Sequence, residues 1–433
     1  MKFVSTRNSE LKVNLSEALQ MGLAKDGGLY IPEYFPQFDW ESLDPNISYP
    51  DFACQLLKPF FNEDELKEKL HQICKESFTF EAPVITLDEH NYVLELFHGP
   101  TLSFKDFGAR FLASCLSQIK SNKSFSILVA TSGDTGSAVA AAFYQKPNIN
   151  VVVMFPEGKI SHRQERQITC WGDNVLALSV KGNFDDCQRL VKEAFGENWW
   201  HQRTYLNTSN SINIGRLLPQ STYYAYSAWQ FYLKHKKQAN YIVPSGNIGN
   251  VTACFWAKKM GLPIGDIVIS QNENNVIGEY LQTQLMPNKK SIETLANAMD
   301  VGKPSNFERL SKLLGSFDAF KATITSYKAA DTEIIETIKK AKEKYNYIAC
   351  PHTATAFFAR ENQPSEEKLK PYIMVATADP AKFNDVVEPA LEEKVELPQR
   401  LKLLLEKEQT AKHIAPDMQE LMNVYSTTFD KIP

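Results

Sequence analysis

Lys105 has the clearest chemical potential in this sequence, because it stands at the predicted start of a helix directly behind an apparent strand. The strand covers residues 92–97, a His-Gly-Pro triplet breaks it, and Ser103 with Asp106 forms a predicted capping pair ahead of an apolar helical pattern. Crowding and the helix dipole both disfavour a cation there, and a desolvated lysine with a lowered pKa is nucleophilic. From this stretch alone, a solvated lysine in a first helical turn is an equally weighted alternative.

Two further stretches carry hydroxyl, glycine and asparagine residues between a predicted strand and a predicted helix. They are residues 130–136 (ATSGDTG) and residues 243–252 (VPSGNIGNVT). Free backbone N–H groups at such helix starts form a nest that binds a carboxylate or a phosphate. The alternatives are a capped helix start for the first stretch and a plain turn for the second. Neither stretch has a Walker loop or a G-x-G-x-x-G fingerprint, so ATP and NAD are poorly supported.

A third strand end, at 375–383, places Thr377 ahead of an Asp-Pro helix start at Asp379. Taken alone, it is most simply a capped helix with proline at its first position. Together with Lys105 and the two nests, it matches the needs of pyridoxal phosphate. This cofactor requires an amine for its aldehyde, a nest for its phosphate and a hydrogen-bond partner for its ring nitrogen.

The strand ends belong to an alternation of short apolar runs and helical patterns that begins near residue 92. In open α/β sheets, ligands bind beyond the carboxyl ends of the strands. The alternation predicts mostly parallel sheet with helices on both faces, and residues 1–88 are predicted to be mostly helical, with helices at 15–23 and 63–77. The predicted strands are 92–97, 126–130, 150–155, 174–180, 241–244, 267–271 and 372–377.

The composition is that of an ordinary soluble globular protein. The 433 residues are 43% hydrophobic and 23% charged, with a formal net charge of −4, so the chain is expected to form two or three domains. Nothing in this balance favours binding to nucleic acid or to a membrane. The first residues lack the apolar segment of a signal peptide, so a cytoplasmic location is expected.

Cysteine and histidine spacing argues against a metal centre. No cysteine pair has C-x-x-C spacing, and the eight histidines include no H-E-x-x-H motif, so no metal is predicted. The cysteines are expected to be reduced thiols that mostly fill the core. They are Cys54, Cys74, Cys115, Cys170, Cys187, Cys254 and Cys350.

Four segments, at 98–107, 130–136, 244–250 and 377–383, closely resemble the threonine synthase family of fold-type-II pyridoxal-phosphate enzymes and occur in that family's order. Further similar segments lie at 26–32, 158–161, 210–213 and 297–300, so the resemblance spans nearly the whole chain. It implies an α/β fold with two open, mostly parallel α/β domains of the tryptophan synthase β-like architecture. The expected division is an N-terminal region 1–88, a domain 89–200 with the Schiff-base lysine, and a domain 201–433 with the cofactor phosphate loop.

The resemblance also implies an activity. Family members convert O-phospho-L-homoserine and water to L-threonine and phosphate, by elimination at the γ-carbon and addition of water at the β-carbon. The alternatives are another fold-type-II lyase or dehydratase that acts on a phosphorylated hydroxy amino acid, or a non-catalytic protein that binds a phosphorylated metabolite. The expected partner is a small-molecule substrate, and the chain is expected to be a monomer or a homodimer.

Site residues follow from the resemblance position by position. Lys105 would bind the cofactor aldehyde and then move protons on the substrate. Asp134 lies where related enzymes contact the 3′-oxygen of the cofactor, and Thr377 would face its ring nitrogen. The residues implied to hold the cofactor phosphate are Ser245, Gly246, Asn247, Ile248 and Gly249, with Asn250 at the edge of the loop.

The substrate residues form two groups. Thr131, Ser132 and Thr135 would receive the substrate carboxylate or adjoining groups. The residues implied to bind the substrate phosphate are Asn210, Ser211, Arg216 and Lys159, with Arg216 as the main anchor because a guanidinium binds phosphate with two parallel hydrogen bonds.

Two neighbouring features have simpler interpretations. Arg163 and Arg166 are expected on the solvated face of a helix. Asp379 stands where close relatives carry a histidine, and it is expected to cap the helix that follows.

Overall fold

The computed structural model describes residues 1–131 and 133–430, and this part of the chain forms three sheets surrounded by helices. The strands are β1 Phe3–Ser5, β2 Lys12–Val13, β3 Tyr30–Pro32, β4 Val84–Thr86, β5 Asn91–Glu95, β6 Phe125–Ala130, β7 Ile149–Pro156, β8 Val175–Val180, β9 Tyr205–Asn207, β10 Ala239–Pro244, β11 Ile264–Gln271, β12 Thr325–Lys328, β13 Tyr372–Ala376 and β14 Lys412–Ile414.

The helices that cover these sheets vary in length, and short 3-10 segments lie at Lys58–Phe61, Lys67–Lys69, Asn297–Met299 and Pro380–Phe383. The α-helices are α1 Leu15–Met21, α2 Tyr49–Leu57, α3 Leu70–Ser77, α4 Lys105–Gln118, α5 Asp134–Phe143, α6 His162–Thr169, α7 Phe184–Gly196, α8 Asn198–Arg203, α9 Ile214–Leu217, α10 Gln220–His235, α11 Gly249–Lys259, α12 Val276–Thr283, α13 Phe307–Leu314, α14 Phe317–Thr323, α15 Asp331–Tyr345, α16 Pro351–Glu361, α17 Ser365–Lys368, α18 Asn384–Leu391, α19 Gln399–Leu405 and α20 Met418–Phe429.

Two large sheets confirm the predicted α/β class. One has six strands in the order β12-β11-β10-β13-β5-β4, parallel except for β4, and the other has five parallel strands in the order β14-β8-β7-β6-β9. Their central strands are apolar on both faces, as the consecutive buried residues Val151, Val152 and Val153 of β7 illustrate. Such strands require helices on both sides, which the intervening helical segments supply.

Sheet membership crosses the predicted domain boundaries. Strand β5, which precedes Lys105, pairs with β13 and shares the six-stranded sheet with β10. Strand β14, near the end of the chain, pairs instead with β8 in the five-stranded sheet. The division at residues 88 and 200 stays a prediction.

The N-terminal region combines helices α1–α3 with a small antiparallel sheet of order β2-β1-β3, which was not predicted. Helix α1 confirms the first predicted helix, but the prediction of a helix over 63–77 is wrong at its start, because α3 begins at Leu70. The reason is the carboxylate of Asp64, which accepts hydrogen bonds from the N–H groups of Ser16 (2.8 Å) and Leu66 (3.0 Å) and holds the chain in a turn.

The structure also bears on membrane-spanning helices, metal-binding clusters and the state of the cysteines. Among the described residues, no helix is long and apolar enough to cross a membrane, and no cluster of metal-binding side chains is found. All seven cysteines lie in the described part of the chain as free thiols, with Cys54 half-buried and the others buried.

Candidate active site

Lys105 is the first residue of α4, and the chain before it is bound to the segment that follows β13. The Phe104 N–H donates to the Thr377 carbonyl (2.9 Å), and the Asp379 N–H donates to the Leu102 carbonyl (3.1 Å). These two bonds bring Lys105 and Thr377 together although 272 positions separate them (377 − 105). The structure therefore places the predicted lysine at the carboxyl end of the six-stranded sheet.

The predicted capping pair in front of Lys105 is wrong. The hydroxyl of Ser103 is buried without a partner among the described residues. The Asp106 carboxylate instead accepts hydrogen bonds from the N–H (2.9 Å) and the hydroxyl (2.6 Å) of Thr101. These bonds stabilise the turn at Leu102, whose φ of 59° is left-handed, so Asp106 shapes the entry to the helix from within.

The surroundings of Lys105 make its amine easier to deprotonate than that of an ordinary lysine. Burial lowers the pKa of Lys105 to about 8, and the cations Lys382 and Arg216 act in the same direction against the attraction of Asp134. An amine with such a pKa is partly deprotonated near neutral pH and can act as a nucleophile or as a base.

Asp134, at the start of α5, forms a buried ion pair with Lys382, whose Nζ lies 2.8 Å from Oδ1. Burial opposes ionisation of Asp134, but the charges of Lys382 and Lys105 outweigh it and hold its pKa well below the usual range. Lys382 is not among the site residues predicted from the sequence. The only signal was its position in the 377–383 segment, where a lysine follows Asp379-Pro380 at helical spacing.

The loop between β10 and α11 forms a nest for an anion. Among the described residues, the N–H groups of Gly246 to Gly249 donate to no protein acceptor, and the buried hydroxyl of Ser245 has no partner. Ile248 has a left-handed φ of 61°, which turns successive N–H groups toward one point. A Cβ on Gly246 would lie 2.5 Å from the Cα of Met299, so only glycine fits there.

Two asparagines of this loop have defined contacts. The Asn247 amide donates to the Ser211 hydroxyl (2.6 Å) and accepts from the Ser305 N–H (2.6 Å), which joins the loop to the predicted substrate-phosphate segment. The Asn250 amide oxygen accepts from the hydroxyls of Tyr223 (2.7 Å) and Tyr224 (2.8 Å). Asn250 is thus fixed within the protein at the base of the loop.

In the first predicted nest, at residues 130–136, Thr131 stabilises the start of the helix that follows. The buried hydroxyl of Thr131 accepts hydrogen bonds from the N–H groups of Gly133 (3.0 Å) and Gly136 (2.9 Å), so it caps α5. Thr135 is half-buried in the first turn of that helix, and Ser132 lies outside the described residues. Their contact with substrate stays a prediction.

The substrate-phosphate residues are only partly brought together. Arg216 on α9 is buried, which lowers its pKa to about 10, and it donates to the Ser209 carbonyl while its Nε has no partner among the described residues. Asn210 is half-buried and lies three residues beyond the end of β9. Lys159 is exposed in the turn after β7 and forms no side-chain hydrogen bond or ion pair with any described residue.

The expectation for Arg163 and Arg166 is wrong, because both side chains bind other parts of the chain. Arg163 donates to the Ala381 carbonyl and lies 3.8 Å from the Glu388 carboxylate. Arg166 donates to the carbonyls of Leu405 and Lys407. They attach α6 to the segments after β13, whereas the helix cap expected at Asp379 is confirmed by its bond from the Ala381 N–H (2.8 Å).

His352, on the first turn of α16, is a second residue of the site that was not predicted from the sequence. Burial lowers its pKa to about 4, against the attraction of Asp134 and with the help of Lys105 and Lys382. Its Nε2 accepts a hydrogen bond from the Ala298 N–H (3.1 Å), and its ring packs on Phe383. His352 is therefore uncharged at neutral pH and lines the site, and no local pattern in the sequence indicated it.

These observations fit pyridoxal phosphate. The site offers a desolvated lysine, a nest of free N–H groups with the unpartnered Ser245 hydroxyl beside it, and the Thr377 strand end next to the lysine. A sequence profile described as pyridoxal-phosphate dependent enzyme matches residues 81–378. The fold and the site define an enzyme of this class.

Two kinds of comparison identify the family within this class of enzymes. They are sequence profiles that match the two ends of the chain, and relatives that match nearly its full length. Profiles described as threonine synthase N terminus and threonine synthase, C-terminal, match residues 2–78 and 353–424. Threonine synthase of Haemophilus influenzae is 39% identical over 405 residues, which cover 93% of this chain and 94% of that protein. Threonine synthase of Escherichia coli is 37% identical, with the same coverage of 93% and 94%.

Solved structures agree with this result. The crystal structure of threonine synthase from Escherichia coli superposes with a TM-score of 0.90 at 35% identity, over 99% of this chain and 100% of that one. The yeast enzyme superposes with a TM-score of 0.90 at 33% identity, over 100% and 99%. The chain belongs to the threonine synthase family. It is a lyase of threonine biosynthesis, and its cofactor is pyridoxal phosphate.

Proposed function

We propose that this chain converts O-phospho-L-homoserine and water to L-threonine and inorganic phosphate, with Lys105 as the group that moves protons. The observation that carries the assignment of roles is the position of Lys105. Its pKa is lowered to about 8 by burial, and it shares its surroundings with Arg216, which keeps a free donor. A base and a binding group for a leaving phosphate are the two requirements of this reaction.

The cofactor would be held by residues at the ends of two parallel strands. The loop Ser245–Gly249 after β10 would bind its phosphate, and Asn250 would support the loop from below. Thr377 after β13 would face the ring nitrogen, and Asp134 would face the 3′-oxygen. When bound, pyridoxal phosphate supplies an electron-accepting ring that stabilises negative charge on the substrate carbons.

Lys105 would serve several proton transfers in turn. Its neutral amine removes a proton from Cα and releases it, and the amine, neutral again, removes one from Cβ, after which phosphate leaves Cγ. Protons return to Cγ and to Cα, and the oxygen of water adds to Cβ, so that the substrate gains one water and loses one phosphate. A pKa of about 8 suits this cycle, because the amine must both accept and release protons near neutral pH.

Substrate binding would use two further groups of residues. Arg216, Ser211 and Asn210 would bind the substrate phosphate, with Lys159 approaching from its exposed turn. Thr131, Ser132 and Thr135 would receive the carboxylate. The unpartnered Nε of Arg216 supports its part in this proposal, because a buried guanidinium donor without an acceptor is costly unless a ligand completes it.

The wider setting of the enzyme also remains a proposal. We expect a cytoplasmic protein that acts as a monomer or a homodimer, without nucleic-acid partners. Neither a different phospholyase nor a non-catalytic protein is favoured by the full-length relatives.

The test is an incubation of the purified holoenzyme with O-phospho-L-homoserine. Threonine and phosphate should appear in equal amounts, and 2-oxobutyrate with phosphate would instead identify a lyase without net hydration. Borohydride reduction followed by peptide mass spectrometry should locate a pyridoxyl group on Lys105. Its absence from Lys105 would refute the proposed role of this residue.

A further inference from the structure

Lys382 is a fully buried lysine in the 3-10 helix Pro380–Phe383, with 0% exposure of its side chain. Its Nζ donates to the Thr101 carbonyl (2.7 Å) and lies 2.8 Å from Oδ1 of Asp134. Lysine is almost never fully buried unless it is paired, because desolvation of an ammonium is expensive. Its position beside Lys105 therefore calls for an explanation beyond packing.

The three groups in this contact come from separate parts of the chain. Thr101 lies in the turn before Lys105. Asp134 begins α5 after strand β6 of the five-stranded sheet, and Lys382 lies after strand β13 of the six-stranded sheet. Oδ1 of Asp134 also accepts from the Gln164 amide (3.2 Å), while Oδ2 accepts no hydrogen bond from any described residue. One oxygen of the carboxylate is thus fixed, and the other is left for a different partner.

We propose that Lys382 is a positioning residue, which holds Oδ1 of Asp134 in a buried ion pair and so keeps this carboxylate from pairing with Lys105, while Oδ2 is left for the cofactor. The part that concerns the cofactor rests on the proposed function. The part that concerns Lys105 does not, because Lys105 and Asp134 belong to the protein without its cofactor.

The surrounding charges predict what happens when Lys382 is removed. Lys105 faces Asp134, Lys382 and Arg216, and Asp134 faces Lys382, Lys105 and His352. Replacement of Lys382 by methionine removes a nearby positive charge and also releases Asp134 to pair with Lys105. Both changes favour the charged amine, so the pKa of Lys105 should rise from about 8.

The experiment measures the reactivity of Lys105 in the apoenzyme, so it does not depend on turnover. The cofactor is removed with hydroxylamine, trinitrobenzenesulfonate is added over a range of pH, and modified Lys105 is quantified by peptide mass spectrometry. In Lys382→Met the midpoint should rise by about one pH unit, which lowers the rate near neutral pH about tenfold. An unchanged midpoint in a variant with a native circular dichroism spectrum would overturn the proposal.

A double-mutant comparison separates positioning from simple charge. In the Asp134→Asn background no carboxylate is released, so Lys382→Met should shift the midpoint less than it does in the wild type. Equal shifts in both backgrounds would mean that Lys382 acts only through its own charge, and the positioning role would be wrong.

Two further variants keep the test decisive. Lys342→Met removes a half-exposed lysine that pairs with Glu393 (3.2 Å), and it should leave the Lys105 midpoint unchanged. If Lys382→Met does not fold, Lys382→Arg retains the charge and the pairing with Asp134, so it should keep the wild-type midpoint. A midpoint in Lys382→Arg that is one unit higher would contradict the proposal. Absence of threonine production by the wild-type holoenzyme, with the Lys105 midpoint still raised in Lys382→Met, would count against the proposed function and leave the role of Lys382 standing.

Discussion

At the scale of single residues, the site depends on titratable groups that burial has displaced from their usual behaviour. Lys105, Asp134, Lys382 and His352 lie close enough to influence one another, and two of them, Asp134 and Lys382, form an ion pair. Burial, helped by the cations Lys382 and Arg216, makes Lys105 easier to deprotonate, while Asp134 remains ionised. One buried region thus contains both an amine that can lose its proton near neutral pH and a fixed ion pair.

Replacement of Lys105 by alanine should abolish turnover and leave the fold intact. The side chain is the proposed proton carrier, and loss of such a group lowers rates by at least about 10² to 10⁴-fold. Threonine production from O-phospho-L-homoserine measures the effect, and circular dichroism checks the fold. Lys342→Met is the matched control and should retain activity. Substantial turnover by Lys105→Ala would show that another group carries the protons.

His352 should make the apoenzyme sensitive to acid. Its pKa is about 4 in the folded protein and about 6.5 when unfolded, so the unfolded chain binds more protons between these values. Its contribution to stability is complete above pH 6.5 and is lost as the pH falls toward 4. In His352→Gln, whose amide can still accept from the Ala298 N–H, the loss between pH 7 and 4.5 should be smaller by about 2 to 3 kcal/mol.

Urea unfolding of the apoenzyme at the two pH values measures this difference. Asp300, whose pKa is raised to about 6 by burial, favours the folded state at the lower pH, but it is present in both proteins and cancels from the comparison. The exposed His162 provides the control, since His162→Gln should follow the wild type. Equal losses in the wild type and in His352→Gln would show that His352 titrates normally.

At the scale of elements, the site is made by strand ends and by the turns that follow them. The loop after β10 keeps its N–H groups free because Gly246 allows the backbone of Met299 to approach and Ile248 adopts a left-handed conformation. Asn247 and Asn250 then fix the loop from two sides. The phosphate nest is therefore a property of the whole turn and not of one side chain.

Gly246→Ala should weaken cofactor binding and destabilise the holoenzyme. Its Cβ would lie 2.5 Å from the backbone of Met299, which cannot move without displacing the 3-10 segment Asn297–Met299. Overpacking of this kind costs about 1 to 3 kcal/mol. Titration of the apoenzyme with pyridoxal phosphate, followed by absorbance, measures the affinity. Gly196→Ala is the control, because nothing lies within 4 Å of the added Cβ, and wild-type affinity in Gly246→Ala would contradict the close contact.

The sequence predicted the elements that local patterns encode. Seven central strands, the lysine at the start of α4 and the glycine-rich turn after β10 are all where their patterns placed them. The helix at 63–77 and the Ser103–Asp106 cap were mistaken because Asp64 and Asp106 bind groups that the helical pattern does not include. Lys382 and His352 were missed because their partners Asp134 and Ala298 are distant in sequence.

At the scale of the whole molecule, the site lies where three parts of the chain meet. The six-stranded sheet supplies Lys105, Thr377 and the phosphate loop, and Asp134 follows a strand of the five-stranded sheet. The N-terminal region is connected to the site by Arg309, a residue of α13. This guanidinium is 1% exposed and donates to the carbonyl of Tyr30 (3.0 Å) on the N-terminal sheet.

Arg309 also binds the segment next to the phosphate loop. It donates to the carbonyls of Ser211 (3.0 Å) and Ile212 (2.7 Å) and to the amide oxygen of Asn306 (2.7 Å). The Ser211 hydroxyl in turn accepts from Asn247 (2.6 Å). One buried cation thus connects the N-terminal sheet to the residues that support the cofactor loop.

Arg309→Met should therefore destabilise the protein as a whole. It leaves several buried acceptors without their charged donor, and such losses cost about 3 kcal/mol or more. The neighbouring Arg7→Met is the matched control, because Arg7 is exposed and its pairing with Glu308 (3.0 Å) is screened by solvent, so its loss should change stability little. Chemical denaturation gives both values, and limited proteolysis should release residues 1–78 faster from Arg309→Met. If the two variants lost equal stability, the N-terminal region would be held by its apolar contacts and not by this buried cation.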